Sequence, residues 1–234
     1  LSFTISGLIA SWELASYAYE QWQIAEMAKR YATVGAEIYY RENNPEVAGA
    51  LVAKALELEE DNPDHRYLQA YLEGMAAVRL LLNLDRPYTK AEMDQAHQAM
   101  ANAVFLQKLA PERPEPYILQ SQLHTALKQY ERAQSEIEQA LAIAPEHDFA
   151  LVRLAVIQIK RDELAAAQAT LDRALSLAPE SKWAWLWKGY IFAQDRETTA
   201  QAREAYAQAI DIDPRFDMAY YNRAWTWLRV RPQD

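Results

Sequence analysis

The chain has 234 residues, of which 51% are hydrophobic and only 5 are glycine, and its formal net charge is −9 at pH 7. This composition supports a sizeable folded core and argues against enzymes built on glycine-rich phosphate loops. The acidic balance disfavours nucleic acid as a partner, because phosphate binding needs clustered lysine and arginine, and the absence of cysteine excludes disulfides and cysteine metal sites.

Residues 1–31 are predicted to form one amphipathic helix with a narrow apolar seam, because apolar residues recur at alternating intervals of four and three. A helix that continues to Arg41 is the alternative. The members of the seam are Leu1, Ile5, Leu8, Trp12, Ala15, Tyr19 and Trp22. Residues 1–12 carry no charge and the chain does not begin with Met, so we expect that an upstream segment has been removed. Three interpretations stay open: the end of a membrane anchor, a helix that caps the fold, and a surface that dimerises or inserts into a partner.

The next two stretches, 32–63 and 64–111, are predicted to be divergent copies of a helical hairpin that is more regular further along the chain. Pro45, which follows an asparagine, indicates a helix start. Thr89 and Glu92 have the spacing of a capping box, which indicates another. The second copy is 14 residues longer than the regular period, which predicts a longer first helix or an inserted loop.

Residues 112–234 are predicted to hold three regular repeats and a final helix. Residues 140–145, 174–179 and 209–214 align without gaps, and prolines recur from Pro111 at intervals of 34, 34 and 35 residues. Each aligned block begins with an alanine. An earlier alanine and then a bulky residue precede it, at intervals of four and three residues, so that all three side chains fall on one helix face. These triads are Ala133–Ile137–Ala140, Ala167–Leu171–Ala174 and Ala202–Tyr206–Ala209.

Before each of the three blocks, a helical stretch carries bulky residues around one small residue, as in Trp185, Lys188, Gly189 and Phe192. The small positions are Ser121, Ala155, Gly189 and, in the final helix, Ala224. This pattern resembles the tetratricopeptide repeat, a hairpin of two helices with a 34-residue period. The resemblance implies an all-α fold, namely a right-handed α-solenoid of such hairpins, here preceded by a long N-terminal helix.

No catalytic or metal-binding motif is present, so we predict a protein that is not an enzyme and that needs no cofactor and no metal. The sequence contains no nucleophile elbow, Walker motif or dinucleotide-binding fingerprint. The histidines are scattered, and none has the spacing of a ligand pair. They are His65, His97, His124 and His147.

The resemblance implies a concave groove lined by the first helix of each hairpin. Carried over to this sequence, the groove residues are Phe149, Val152, Val156, Ile159, Trp183, Leu186, Tyr190, Tyr221, Trp225 and Leu228, with Ile118, Gln122 and Thr125 in the preceding repeat. The cationic residues with which some family members hold acidic C-terminal tails are missing from these positions. The groove is therefore expected to bind an apolar or amphipathic segment, although packing between hairpins is the alternative.

These observations predict a non-catalytic protein-interaction scaffold or assembly factor of bacterial type. Its partner is expected to supply an apolar or amphipathic helix or extended segment. The uncharged start adds the expectation of membrane association, on the periplasmic or cytoplasmic face. The alternative is an accessory domain or subunit of a membrane enzyme or secretion complex, with the chemistry on another part. Small-molecule binding is disfavoured, because the groove lacks convergent polar groups.

Overall fold

The computed structural model describes residues 2–42, 45–82 and 87–230, and side chains within 15–38, 47–81 and 87–228. All regular elements in these ranges are α-helices, so the all-α prediction is confirmed. The helices are α1 (Ser2–Glu42), α2 (Pro45–Leu58), α3 (Pro63–Leu82), α4 (Lys90–Leu109), α5 (Glu115–Ala126), α6 (Tyr130–Ile143), α7 (Asp148–Lys160), α8 (Leu164–Leu177), α9 (Lys182–Phe192), α10 (Thr199–Ile212) and α11 (Asp217–Val230).

The chain divides into two compact units, Leu1–Leu109 and Ala110–Asp234. In both units each helix packs against the next helix along the chain. In the C-terminal unit the first helices of successive hairpins also touch, so that α5 contacts α7, α7 contacts α9 and α9 contacts α11. This neighbour-to-neighbour packing is the arrangement expected of a helical repeat.

The first helix of the N-terminal unit runs beyond residue 31, in agreement with the alternative of a helix that continues to Arg41. α1 continues without a break to Glu42 because its second half packs against α2. Ala28 and Ala32 are buried there together with Ala55 of α2. Gly35 allows the closest approach, since a Cβ at this position would lie 2.9 Å from the backbone oxygen of Ala48.

The long second repeat of the N-terminal unit consists of two long helices. α3 and α4 have 20 residues each, whereas the helices of the C-terminal unit have 11 to 14. The predicted capping box before α4 is confirmed. The Thr89 amide donates to the Glu92 carboxylate at 2.7 Å, and the Glu92 amide donates to the Thr89 hydroxyl at 3.3 Å.

The core of the C-terminal unit is built from the triads that the sequence repeats predicted. All nine side chains of these triads are buried, at 0 or 1% exposure, which confirms the predicted helix face. The first helices approach this face through their small residues. In the first hairpin the Ser121 hydroxyl donates to the Ala133 carbonyl at 2.7 Å. In the third, a Cβ added to Gly189 would lie 2.6 Å from the ring of Tyr206.

Two hairpin turns have the same backbone conformation one repeat apart. Lys128, between α5 and α6, has a φ of 60°, and Asp162, between α7 and α8, has a φ of 64°. Each turn also closes with an equivalent hydrogen bond: the Gln129 amide donates to the His124 carbonyl, and the Glu163 amide to the Gln158 carbonyl. The left-handed region is unfavourable for a side chain such as lysine, so each turn stores some strain.

Candidate protein-binding surface

The middle of the predicted groove is closed by packing. Val152, Val156 and Ile159 on α7 are buried, as is Leu186 on α9. The cause is that α7 lies between α5 and α9, so its side chains are covered from both sides. These four residues therefore pack between hairpins, which corrects their placement on an open groove. In the preceding repeat Ile118 and Gln122 are also buried, and Thr125 is half-buried.

Two further groove residues are half-buried aromatic rings that contact neighbouring side chains. Phe149 lies beneath the guanidinium of Arg153, whose Cζ is 4.6 Å from the ring centroid. Trp183 packs edge-to-face against Phe216, with 4.8 Å between centroids. Each ring thus has one face occupied within the unit.

The exposed part of the predicted surface lies at the C-terminal end of the unit. Tyr190 on α9 is 36% exposed, and on α11 Tyr221 and Trp225 are 64% and 48% exposed. We call these three residues the aromatic patch. Tyr221 and Trp225 are 6.5 Å apart between ring centroids and are nearly perpendicular. Leu228, one turn further along α11, is also exposed and extends the patch.

A cavity of about 330 Å³ opens beside the aromatic patch, among α9, α10 and α11. Its lining residues are Tyr190, Ala193, Gln194, Tyr206, Asn222, Trp225 and Thr226. Burial, and to a lesser degree the neighbouring Tyr190, raises the pKa of the Tyr206 phenol, which therefore stays neutral. The cavity combines aromatic walls with amide and hydroxyl groups and carries no charged side chain, so it suits an apolar anchor more than an ion.

The aromatic patch is exposed because α11 is the last helix of the described chain. In the three complete hairpins the small residue of the first helix is buried against the second helix, whereas Ala224 of α11 is exposed. The exposure of α11 follows from position in the fold, which local periodicity does not reveal. The cavity beside it was likewise not predicted, since its residues come from three helices.

The N-terminal seam is described only in part. Tyr19 and Trp22 are exposed, and their rings stack with 5.9 Å between centroids. Ile5, Leu8 and Trp12 have side chains outside the described residues. Among the helices that the structure describes, none has the length and apolar character required to cross a membrane. A capping contact by residues 15–23 is not observed, because all nine residues are exposed.

The titratable groups form no metal-binding cluster in the described part of the chain. His124 hydrogen-bonds Gln129 at 2.8 Å, and partial burial lowers the pKa of this histidine. Glu136 has a pKa raised by burial. The pKa of Asp213 is lowered because its carboxylate accepts a hydrogen bond from Lys182 at 2.6 Å. None of these groups lines the cavity.

The fold and the packing of successive hairpins define a helical-repeat protein of the α-solenoid class. Residues 124–186 match the family model for the tetratricopeptide repeat, in agreement with the predicted resemblance. A comparison with curated proteins found no sequence match. Tetratricopeptide-repeat proteins are generally non-catalytic repeat scaffolds.

Solved structures share the fold at low sequence identity. TTC0263, a thermophilic tetratricopeptide-repeat protein of Thermus thermophilus, matches with a TM-score of 0.64 and 17% identity, over 86% of this chain and 99% of that one. Yeast Tom70 matches with a TM-score of 0.58 and 16% identity, over 88% of this chain and 41% of that one. YrrB, described as having an unusual peptide-binding site, matches with a TM-score of 0.50 and 17% identity, over 89% of this chain and 97% of that one.

Proposed function

We propose that the chain is a non-catalytic scaffold or assembly factor and that its C-terminal unit binds an apolar or amphipathic segment of a protein partner. The observation that carries this proposal is the aromatic patch of Tyr190, Tyr221 and Trp225 beside the cavity of about 330 Å³. Exposed aromatic side chains next to a concave, largely apolar opening are the usual anchors of a protein interface.

The chemistry of this surface favours an apolar anchor over an acidic tail. A carboxylate would need cationic groups in the groove, and the corresponding positions hold Ile118, Val152 and Leu186, all of them buried. The amides of Gln194 and Asn222 lie at the cavity and offer hydrogen bonds to a peptide backbone. The peptide-binding site described for YrrB supports the view that a protein of this fold can hold a peptide.

Peptide selection tests the proposal. A library of short helical peptides is selected on the intact chain and counter-selected on Trp225→Ala. We expect enrichment of sequences with apolar residues at i, i+3, i+4 and i+7, and at least about 2 kcal/mol weaker binding to Trp225→Ala. The matched control is Phe105→Ala, an exposed aromatic residue on α4. Peptides that lack an apolar anchor, or that bind Trp225→Ala as well as the original chain, would overturn the proposal.

Membrane association through the N-terminal seam, on the periplasmic or cytoplasmic face of a bacterial membrane, is a separate proposal. Its support is the lack of charge in residues 1–12. Flotation with lipid vesicles tests it: the chain should float, and a variant lacking residues 1–12 should not. If both remain in the soluble fraction, the membrane proposal fails.

The alternative role, as an accessory part of a membrane enzyme or secretion complex, differs only in where the chemistry resides.

A further inference from the structure

The last described helix of the C-terminal unit, α11, exposes the face that packs against a second helix in the complete hairpins. Tyr220, Ala224 and Trp227 occupy the positions on α11 that Trp185, Gly189 and Phe192 occupy on α9. On α9 these positions face α10, where Tyr206 lies directly over Gly189. On α11 the same face is open: Tyr220 is 42% exposed and Trp227 is 59% exposed. We call Tyr220, Ala224 and Trp227 the terminal hairpin face.

The N-terminal helix carries an exposed stretch whose sequence has the spacing of a second helix. Residues 15–23 of α1 are all exposed, and α1 first packs against α2 further along. Within residues 15–25, which we call the free stretch, Ala18, Trp22 and Ala25 have the spacing of the second-helix triads. In the complete hairpins the middle residue of that triad packs against the first helix, as Tyr206 does over Gly189. Trp22 occupies the middle position here and is 60% exposed.

The charges of the two helices are complementary. On the terminal hairpin face, the Arg203 guanidinium lies 3.7 Å from the Trp227 ring centroid, and the Arg223 guanidinium lies 5.5 Å from that of Tyr220. Neither guanidinium forms an ion pair with a carboxylate of the described residues. The free stretch, by contrast, contains Glu20 and no lysine or arginine. Opposite charges of this kind steer two surfaces together.

We propose that the free stretch of α1 from one copy docks on the terminal hairpin face of a second copy and supplies the second helix of that hairpin. In this arrangement Trp22 packs over Ala224, as Tyr206 packs over Gly189 within the chain. The contact joins two different surfaces, so it is head-to-tail and leaves one free surface of each kind at the ends of a dimer. The proposal is independent of the aromatic patch, which lies on another side of α11.

Two variants test this arrangement, and each disrupts one of the two contact surfaces. Trp22→Ala removes the docking side chain, and Ala224→Phe blocks its place. Both residues are exposed, so circular dichroism and thermal unfolding should be unchanged. In sedimentation-velocity experiments the original chain should form assemblies that grow with concentration. Each variant alone should associate at least about tenfold more weakly. An equimolar mixture of the two variants should form one-to-one dimers that do not grow further, because only one pair of intact surfaces remains.

The matched controls are exposed apolar residues on the same helices but outside the proposed contact. Met27→Ala on α1 and Met218→Ala on α11 should assemble like the original chain. Should Ala224→Phe fail to fold, Tyr220→Ala takes its place as the defective acceptor. The proposal is overturned if the original chain stays monomeric at high concentration or if the mixture of the two variants does not associate. Equal weakening by the control variants would overturn it as well, and raised salt should weaken a genuine assembly.

Discussion

Replacing Gly189 with alanine is expected to destabilise the C-terminal unit, although alanine is the better helix former. Gly189 lies on the buried side of α9, where the ring of Tyr206 crosses directly above its Cα. A Cβ added here would be 2.6 Å from Cε1 and 2.7 Å from Cδ1 of that ring, whereas ordinary van der Waals contacts begin near 3.4 Å. Tyr206 is only 1% exposed, so a shift of its ring must displace packed neighbours or enter the cavity that it lines.

The magnitude follows from two opposing contributions. Forcing an extra methyl group into a close-packed interior costs about 1–3 kcal/mol, and a 2.6 Å contact with a buried ring places the cost in the upper part of this range, at about 2–3 kcal/mol. The higher helix propensity of alanine returns about 1 kcal/mol. The expected net loss is about 1–2 kcal/mol of the free energy of unfolding, since relief of the contact requires moving α9 away from α10.

Urea unfolding followed by tryptophan fluorescence measures this loss. Five of the seven tryptophans lie in the C-terminal unit, so the signal reports mainly on that unit; they are Trp183, Trp185, Trp187, Trp225 and Trp227. With a urea dependence of about 1–3 kcal/mol/M, the midpoint should fall by roughly 0.3–2 M. The matched control is Gly49→Ala on α2, where an added Cβ meets nothing within 4 Å. This variant should stabilise its own unit by up to about 1 kcal/mol.

A double-mutant cycle ties the loss to the Tyr206 ring. In a Tyr206→Leu background, Gly189→Ala should be neutral or stabilising, because the ring that blocks the Cβ is gone. If Gly189→Ala has the same stability as the original chain or a higher one, the close approach of α9 and α10 does not exist as described. A loss that persists in full after Tyr206→Leu would also refute this explanation.

Three further variants test separate features of the C-terminal unit. Lys128→Gly should raise the free energy of unfolding by about 0.5–1 kcal/mol, because glycine tolerates the left-handed φ of 60°; urea unfolding measures it, and no gain would contradict the turn conformation. Since Lys182 lowers the pKa of Asp213, stability should fall as pH drops below about 4, and Asp213→Asn should remove at most about 1 kcal/mol of this pH dependence. Since burial lowers the pKa of His124, the unfolded state binds a proton more readily, and the melting temperature should fall as pH drops below about 6.5; His124→Gln should flatten that fall, and an unchanged profile would exclude the histidine as its cause.

The repeating core of the C-terminal unit could be predicted because local sequence encodes it directly. Alanine and bulky residues at intervals of four and three define one helix face, and proline marks the end of each hairpin. The structure buries this face in all three hairpins, with Ile137, Leu171 and Tyr206 at its centre. The C-terminal end of α1 was harder to predict, since repeat alignment gives the period but not the residue at which a helix ends.

The binding surface could be predicted only in part, because exposure depends on which helices lie beside a residue. Val156, Tyr190 and Trp225 stand one repeat apart in equivalent positions of α7, α9 and α11. Val156 is covered by two neighbouring first helices, whereas Trp225 lies on the last helix and is half exposed. The apolar sequence pattern is the same at Val156 and at Trp225, so only three-dimensional packing distinguishes the buried residue from the exposed one.

The central claim, that the aromatic patch binds a protein partner, is tested most directly by photo-crosslinking in the native cells. A photoreactive phenylalanine analogue at Tyr221 should capture one discrete protein, and Trp225→Ala should abolish the capture. The same analogue at Phe105, an exposed position of the N-terminal unit, should not capture that protein. Capture that is equal at both positions, or that survives Trp225→Ala, would contradict the claim that the patch is the binding surface.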